Sequence, residues 1–310
     1  MPVNVLFSAR PAQWPIYKPL LTKGLTEAGV NFHLATEFEP DQVDYIVYAP
    51  SGGLLDFTPY TRLKAVLSLW AGVEKIAGNA TLTVPLARMV DHGLTQGMIE
   101  WVVGHVLRHH LGMDRHITVQ DGVWTPAPPP LATGRQVCVL GLGALGEAAA
   151  RALAALNFDV TGWSRTAKDI PGITCLHGPD GLRTALSRAA IVVLLLPDTP
   201  ATVNILNADT LALLPKGACV INPGRGPLID DDALLAALNT GQVGHATLDV
   251  FRVEPLPADH PYWAHPNATV TPHIASETRP ETAAQVICEN IRRGEEGEPF
   301  LHLVDRSLGY

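Results

Sequence analysis

The sequence predicts two doubly wound, parallel-sheet α/β domains, and three features carry that prediction. Short, nearly unbroken apolar runs alternate with helix-like segments, as in parallel strands covered on both faces. The runs form two series, separated by a long helical stretch and by Trp124–Thr133, a segment containing WTPAPPP. The 310 residues, 47% of them hydrophobic, exceed one comfortable core and suit two.

In the first series Val3–Phe7, Val30–Leu34, Tyr45–Ala49 and Ala65–Leu69 read as buried strands. A helix over Ile16–Glu27 fills the first gap, with Gly29 placed to end it. Met98–Ile117 reads as one long helix. The proline density that follows excludes helix and central strand. The second series begins near Arg135, with strands at Gln136–Leu140, Asp159–Trp163, Ile191–Leu196, Ala218–Ile221, Ala246–Val250 and Thr269–Thr271. Helices at Ala144–Leu156, Gly181–Ser187, Asp209–Leu214 and Asp231–Asn239 alternate with them, and Asp230-Asp231-Asp232 puts acids at a helix N-terminus, where the macrodipole favours them. A last helix, Arg279–Arg293, is placed to cross back to the first domain.

The formal charge is −8, from 22 basic and 30 acidic side chains, with no Lys/Arg run. That balance argues against nucleic-acid and anionic-membrane partners. The opening MPVNVLFSAR has no basic region and no long apolar stretch, so no signal peptide is expected, and Ile191–Leu196 is too short to span a bilayer. Four scattered cysteines without a CxxC pair read as reduced thiols of a cytoplasmic protein. His105 and His109 are four apart on the long helix, near His110 and His116, but no third ligand and no HExxH glutamate accompany them. The expectation there is a solvated or interface face and no metal.

Gly141-Leu142-Gly143-Ala144-Leu145-Gly146 is a GxGxxG motif after the strand RQVCVL and before the helix ALGEAAARALAAL. In that context the first glycine permits the tight turn, the second lets a pyrophosphate reach the backbone, and the third lets helix and strand pack closely. N–H groups at the helix start face the phosphates. The next strand ends in Ser164-Arg165-Thr166, with Lys168 beyond, where an NAD-binding domain would carry an acid for the ribose 2′-hydroxyl. A guanidinium there pairs with a 2′-phosphate, which favours NADP(H) and leaves NAD(H) as the other possibility.

Three polar residues follow three later strands: Arg225 in INPGRGPL, Glu254 in LDVFRVEPLP and His273 in VTPHIAS. In an open α/β sheet, ligands bind beyond the carboxyl ends of the strands, where all three would fall. Reduction of a 2-oxoacid needs hydride at C2 and a proton at the carbonyl oxygen. His273 can give the proton, Glu254 can orient the ring and favour its charged form, and Arg225 can hold a carboxylate and polarise a carbonyl.

The stretches GLGALG, WSR, LLPDTPAT, INPGRGPLIDDDAL, LDVFRVEPLP and TPHIAS together resemble the D-isomer-specific 2-hydroxyacid dehydrogenase family. LWAGVEKI resembles its substrate loop. WSR, the closing VDRSLGY and the compact length resemble its glyoxylate/hydroxypyruvate reductase A subgroup. The resemblance implies a Rossmann NAD(P)-binding domain at 99–276 and a discontinuous, flavodoxin-like substrate-binding domain at 1–98 and 277–310. It implies NADPH-dependent reduction of a small 2-oxoacid such as glyoxylate or hydroxypyruvate. Arg225 would bind the substrate, His273 would be the acid/base and Glu254 its partner. Asp249 would contact the nicotinamide carboxamide, and Ala144 and Leu145 the pyrophosphate. Ser164 and Arg165 would meet the 2′-phosphate, and Leu196, Pro197 and Thr202 would flank the adenosine half. Ala71 and Gly72 would offer N–H groups to the substrate carboxylate. The family is usually homodimeric, with the long helix as hinge and dimer contact.

Two departures and two alternatives stand beside this. Gly224 precedes Arg225 where the family usually has a small residue such as Ala, and the pair Glu254/His273 differs from the Gln–His pair of the family's formate dehydrogenases. The alternatives are NAD-linked oxidation of a bulkier D-2-hydroxyacid, and a dinucleotide-sensing binding protein on the same fold.

Overall fold

The computed structural model describes residues 2–119, 121–124 and 126–309. The chain falls into two units, Met1–Leu94 with Glu277–Tyr310, and Thr95–Ser276.

In the first unit, β1 (Val3–Ser8), β2 (Phe32–Ala35), β3 (Tyr45–Tyr48), β4 (Ala65–Ser68) and β5 (Leu86–Ala87) form a sheet of order β2-β1-β3-β4-β5. Every pairing in it is parallel. Alternate side chains go to opposite faces, and both faces are covered. Val5, Phe7, Tyr45, Val47 and Leu67 pack with Leu21, Leu25, Ile287 and Ile291 of helices Trp14–Glu27 and Pro280–Glu296. Leu6, Ile46, Tyr48 and Val66 pack on the other side against Ile76, Leu82 and Leu86. The last helix of the chain is therefore part of this unit's core. Gly24 makes its approach possible, because a Cβ there would lie 2.7 Å from Cys288 Sγ.

In the second unit, β6 (Gln136–Leu140), β7 (Asp159–Ser164), β8 (Thr174–His177), β9 (Ile191–Leu194), β10 (Ala218–Asn222), β11 (Val243–Leu248) and β12 (Ala268–Val270) form a sheet of order β12-β11-β10-β9-β6-β7-β8. All pairings are again parallel. Cys138, Leu140, Val192, Leu194 and Val220 face one apolar layer. Val137, Val139, Ile191, Val193 and Ile221 face the other. The doubly wound parallel architecture expected from the sequence is the one observed. All strands run the same way, so their carboxyl ends share one edge, and the order changes direction between β6 and β9, where such sheets hold ligands.

Several local readings change. The helix expected at Met98–Ile117 begins at His92 and stops at Leu111, and a short helix, Met113–Thr118, follows. Gly112 lies between them at φ 63°, a left-handed conformation that terminates a helix. Strands β5 and β8 were not expected. The first is two residues long, and the second, TCLH, is a half-exposed edge strand with polar ends. β11 starts at Val243, ahead of the expected Ala246, because its Gly244 and His245 hide a strand that is apolar further along. Within Trp124–Thr133 no helix or strand occurs among the described residues until a 3-10 turn at Ala132–Gly134; Thr125, and Tyr310 of the closing motif, lie outside the described residues. Around this segment Ile117, Val119, Val123, Trp124 and Leu131 are exposed, Trp124 to 94%. No helix among the described residues is long and apolar enough to cross a membrane.

The histidines of the long helix lie against the sheet. His109 Nε2 is 2.9 Å from Thr247 Oγ1 of β11, and His245 Nε2 is 2.9 Å from Thr269 Oγ1 of β12. The His109 and His245 rings stand 5.0 Å apart. Arg108 donates to the same Thr269 hydroxyl at 2.9 Å and to Asp114 at 2.7 Å. Burial, then His245 and Arg108, push the His109 pKa down to about 3, and burial with Arg108 pushes His245 down to about 4. Both rings are therefore neutral in the fold, whereas an unfolded chain protonates them near 6.5. Below that pH the unfolded state binds more protons, so acidification removes stability down toward the folded pKa values. For His109 the loss is about 1 kcal/mol per pH unit below its unfolded pKa. Urea unfolding at about pH 7.5 and about pH 5 should show a fall in stability that is smaller in His109→Gln, and equal falls in the two proteins would refute this account.

Candidate active site

Leu140 ends β6, and the three glycines that follow are held by three different constraints. Gly141 adopts φ 104°, and a Cβ there would lie 2.5 Å from Leu195 O. A Cβ on Gly146 would lie 1.7 Å from Gly141 O, so helix Ala144–Ala155 packs on its own strand only with glycine. A Cβ on Gly143 meets no protein atom within 4 Å. It is exposed, as is Ala144, and Leu145 is half-buried. The protein fold leaves this side of the turn open, so a ligand can approach the backbone there. The first N–H groups of the helix have no intrahelical acceptor and open on the same turn. This loop fits a dinucleotide pyrophosphate.

At the end of β7, Ser164 is buried and its hydroxyl donates to Thr166 O at 2.8 Å. Its hydrogen is committed to shaping the turn, which leaves the exposed Arg165 and Lys168 as the charged groups of that turn. No acid occupies positions 164 to 166. Beyond β9, Leu196 is buried and Pro197 half-buried. Thr202 Oγ1 lies 2.6 Å from Pro197 O and accepts from Thr199 N–H at 2.9 Å, so this hydroxyl pins its own loop.

Arg225 follows β10 with an extended backbone, and its carbonyl accepts from the side chain of buried Asn222 at 2.9 Å. Asn222 also accepts from Gly224 N–H at 3.1 Å, and the Arg225 guanidinium donates to Gly224 O at 2.6 Å. A Cβ at Gly224 would lie 2.7 Å from Leu194 O, so this loop packs directly against the end of β9.

β11 and β12 supply the centre. His273 Nδ1 is 2.8 Å from Glu254 Oε2, and Glu254 Oε1 accepts from Phe251 N–H at 2.9 Å. A carboxylate only accepts, so Nδ1 carries the shared hydrogen and Nε2 remains to meet a reacting group. The pair is partly open to water, with side-chain exposures of 53% for His273 and 35% for Glu254. Beside it lies a cavity of about 380 Å³ lined mainly by apolar residues, including Phe251, Leu256, Trp263 and Pro272. His273 is held at φ 54°. Its N–H donates to Asp249 O at 2.9 Å, and the next two N–H groups, of Ile274 and Ala275, donate to Asp249 Oδ1 and Oδ2, each at 2.9 Å. Thr271 Oγ1 donates to Oδ1 at 2.5 Å. Asp249 is fully buried. Beside the nicotinamide contact expected of it, its carboxylate serves the turn that carries His273.

In the other unit, Ala71 and Gly72 lie half-buried ahead of the short helix Glu74–Ala77. Met89 N–H and Trp70 O anchor the segment at 3.0 Å. Neither the Ala71 nor the Gly72 N–H has a protein acceptor among the described residues, which is the condition an anion-binding turn requires.

Sequence reasoning passed over Asn222, Thr271 and Arg252. The available signal was position: each is a polar residue within three of a reactive one in the same strand-end loop.

A model of the D-isomer specific 2-hydroxyacid dehydrogenase NAD-binding domain matches residues 102–275. The chain is 41% identical over 257 residues to a glyoxylate/hydroxypyruvate reductase A from Yersinia enterocolitica, covering 80% of this chain and 82% of that one. Its fold is similar to a D-isomer specific 2-hydroxyacid dehydrogenase from Xanthobacter autotrophicus Py2 in complex with NADPH and MES, with TM-score 0.93, 41% identity and full coverage of both chains. It is also similar to an NADPH-dependent glyoxylate/hydroxypyruvate reductase from Sinorhizobium meliloti in complex with NADP and sulfate, with TM-score 0.85, 33% identity, and coverage of 100% of this chain and 99% of that one.

Removing the buried acceptor should be costly. Asp249→Ala leaves the Thr271 hydroxyl and the Ile274 and Ala275 N–H groups without partners. We expect a loss of about 3 kcal/mol or more in urea unfolding, with Asp249→Asn intermediate. A loss below about 1 kcal/mol would mean that the turn holds itself.

Proposed function

The chain belongs to the D-isomer specific 2-hydroxyacid dehydrogenase family, and from that premise we propose that it reduces small 2-oxoacids, glyoxylate and hydroxypyruvate among them, with NADPH. The observation that carries this reading is the His273–Glu254 pair at 2.8 Å, borne after β12 and β11, the two strands beyond Arg225's β10, on the same sheet edge as the glycine loop. The relatives named above as NADPH-dependent or as glyoxylate/hydroxypyruvate reductases support the cofactor and the substrate class.

The bound dinucleotide supplies the hydride. Arg225 pairs with the substrate carboxylate and polarises the adjacent carbonyl through charge-assisted hydrogen bonds. The proton on His273 Nε2 goes to the carbonyl oxygen, so C2 gains hydride, oxygen gains a proton and an alcohol results. Glu254 holds the ring through Nδ1 and stabilises the imidazolium before transfer. Because the pair is partly exposed, water can return the proton after each turnover. Arg165, on a turn without an acid, gives a 2′-phosphate a cationic partner.

A panel of 2-oxoacids assayed with both reduced cofactors tests the reading directly. Wild-type protein should oxidise NADPH with glyoxylate or hydroxypyruvate, and His273→Ala should lower kcat by about 10²- to 10⁴-fold while still binding NADPH. Retained turnover in that variant would overturn the proton-donor assignment. In a separate measurement, Arg165→Ala should weaken NADPH about tenfold or more and NADH little. Equal losses would remove the basis for the NADPH preference.

A further inference from the structure

The geometry points to Arg252 as a positioning residue that holds the loop of Arg225 in register with the loop of Glu254. This rests on the reductase reading above.

Three loops leave adjacent strands of the sheet: 195–206 after β9, 223–230 after β10 and 249–256 after β11. The first two are joined by backbone hydrogen bonds, Asn204 N–H to Pro227 O at 2.9 Å, Leu206 N–H to Leu228 O at 3.1 Å and Asp230 N–H to Leu206 O at 2.9 Å. The second and third touch with no backbone-to-backbone hydrogen bond between them among the described residues. A Cβ on Gly226 would lie 2.0 Å from the Phe251 carbonyl carbon, so Gly226, next to Arg225, rests directly on the Phe251–Arg252 peptide.

Close packing limits approach but does not prevent sliding. The directional ties come from Arg252. Its guanidinium donates to the side-chain oxygen of Asn204 and to Ile229 O, and lies 3.3 Å from Pro227 O. Its Nε is 3.5 Å from Asp231 Oδ2, while Asp231 Oδ1 accepts from the Tyr262 hydroxyl at 2.9 Å. One side chain from the Glu254 loop thus meets both other loops and the first turn of helix Asp231–Asn239. All three loop contacts are made by one terminal nitrogen, Nη2, while Nε of the same rigid plane faces Asp231; the single nitrogen of an ammonium cannot occupy both places. Arg252 reaches neither Arg225 nor His273 in these bonds. It acts through backbone, setting the distance between the group that holds the substrate and the pair that delivers the proton. Displacements of about 1 Å between such groups can cost about a hundredfold in rate. Thr202 pins the 197–202 turn independently, so nucleotide binding does not depend on the same ties.

Three proteins decide the matter: wild type, Arg252→Gln and Arg252→Lys. With glyoxylate and NADPH, both variants should raise KM about tenfold and lower kcat several-fold, with the NADPH Kd changing less than about threefold. Lysine should fail to restore the wild-type values although it keeps the charge. The amide of Phe251, which donates to Glu254, should also exchange faster in Arg252→Lys by NMR as the two loops loosen. Wild-type kinetics in both variants would overturn the proposal, and so would losses matched by a parallel loss of NADPH binding, which signals general unfolding. If Arg252→Gln does not fold, Asp231→Asn loosens the same guanidinium from the other side and should raise KM in the same direction; an unchanged KM there counts against the proposal. A wild-type protein inactive on every 2-oxoacid would refute the reductase reading alone, and the Phe251 amide exchange would still test the positioning role.

Discussion

Asp249 carries its carboxylate where no water reaches, and the fold tolerates it because the backbone of the next strand-end loop is bent around it. The N–H groups of Ile274 and Ala275 point at its two oxygens after a residue in the left-handed region, which is the geometry of an anion-binding nest. That residue is His273. A positive φ at a residue with a side chain is unfavourable by roughly 1 kcal/mol or more, and charge-assisted bonds to a buried carboxylate offset it. The direction of the imidazole is thus set by a charge two strands' worth of chain away, before Glu254 contributes. Glu254 then fixes rotation of the ring through Nδ1, with its second oxygen held by Phe251 N–H. His273 is over-determined on both sides, as the proposed role of proton donor requires.

The parallel sheet makes this arrangement possible. Arg225, Glu254 and His273 follow three neighbouring strands, β10, β11 and β12, and the loop after β9 lies next to them. The glycine loop leaves β6, across the point where strand order reverses. Residues far apart in the chain therefore share one edge without any long loop. The same order assigns the loops different burdens. The glycine loop is shaped by backbone collisions at Gly141 and Gly146 and left open at Gly143, whereas the Arg225 loop is shaped by Asn222 and by close packing at Gly224 and Gly226.

Much of this was legible in the sequence where a residue's type and its place agree. Gln136–Leu140 and Asp231–Asn239 have the bounds that apolar patterning and acidic N-terminal residues predict. Arg225, Glu254 and His273 were found because reactive side chains stood just past apolar runs. What stayed hidden depends on partners distant in the chain. Asp249 stands in the sequence as a nicotinamide contact by resemblance, and only the fold shows that its oxygens accept from residues 271, 274 and 275. Ser164 and Thr202 are expected as ligand contacts, and only the fold shows that their hydroxyls also shape their own turns. β8 was missed because an edge strand with polar ends lacks the buried pattern, and the break at Gly112 because one glycine is often tolerated inside a helix.

The ionisable groups of the second unit differ in access to water, and that difference separates structural from chemical roles. His109 and His245 are covered, pushed to about 3 and about 4, and confined to one protonation state across the ordinary range. Asp249 is covered and accepts from three donors. Neither kind can take part in a cycle that loads and unloads a proton. His273 and Glu254 combine a fixed mutual geometry with partial exposure. A proton donor needs both properties, because orientation without water leaves it unable to reload, and water without orientation leaves it unable to aim. Among the histidines of this unit with a described carboxylate partner, His273 joins the two.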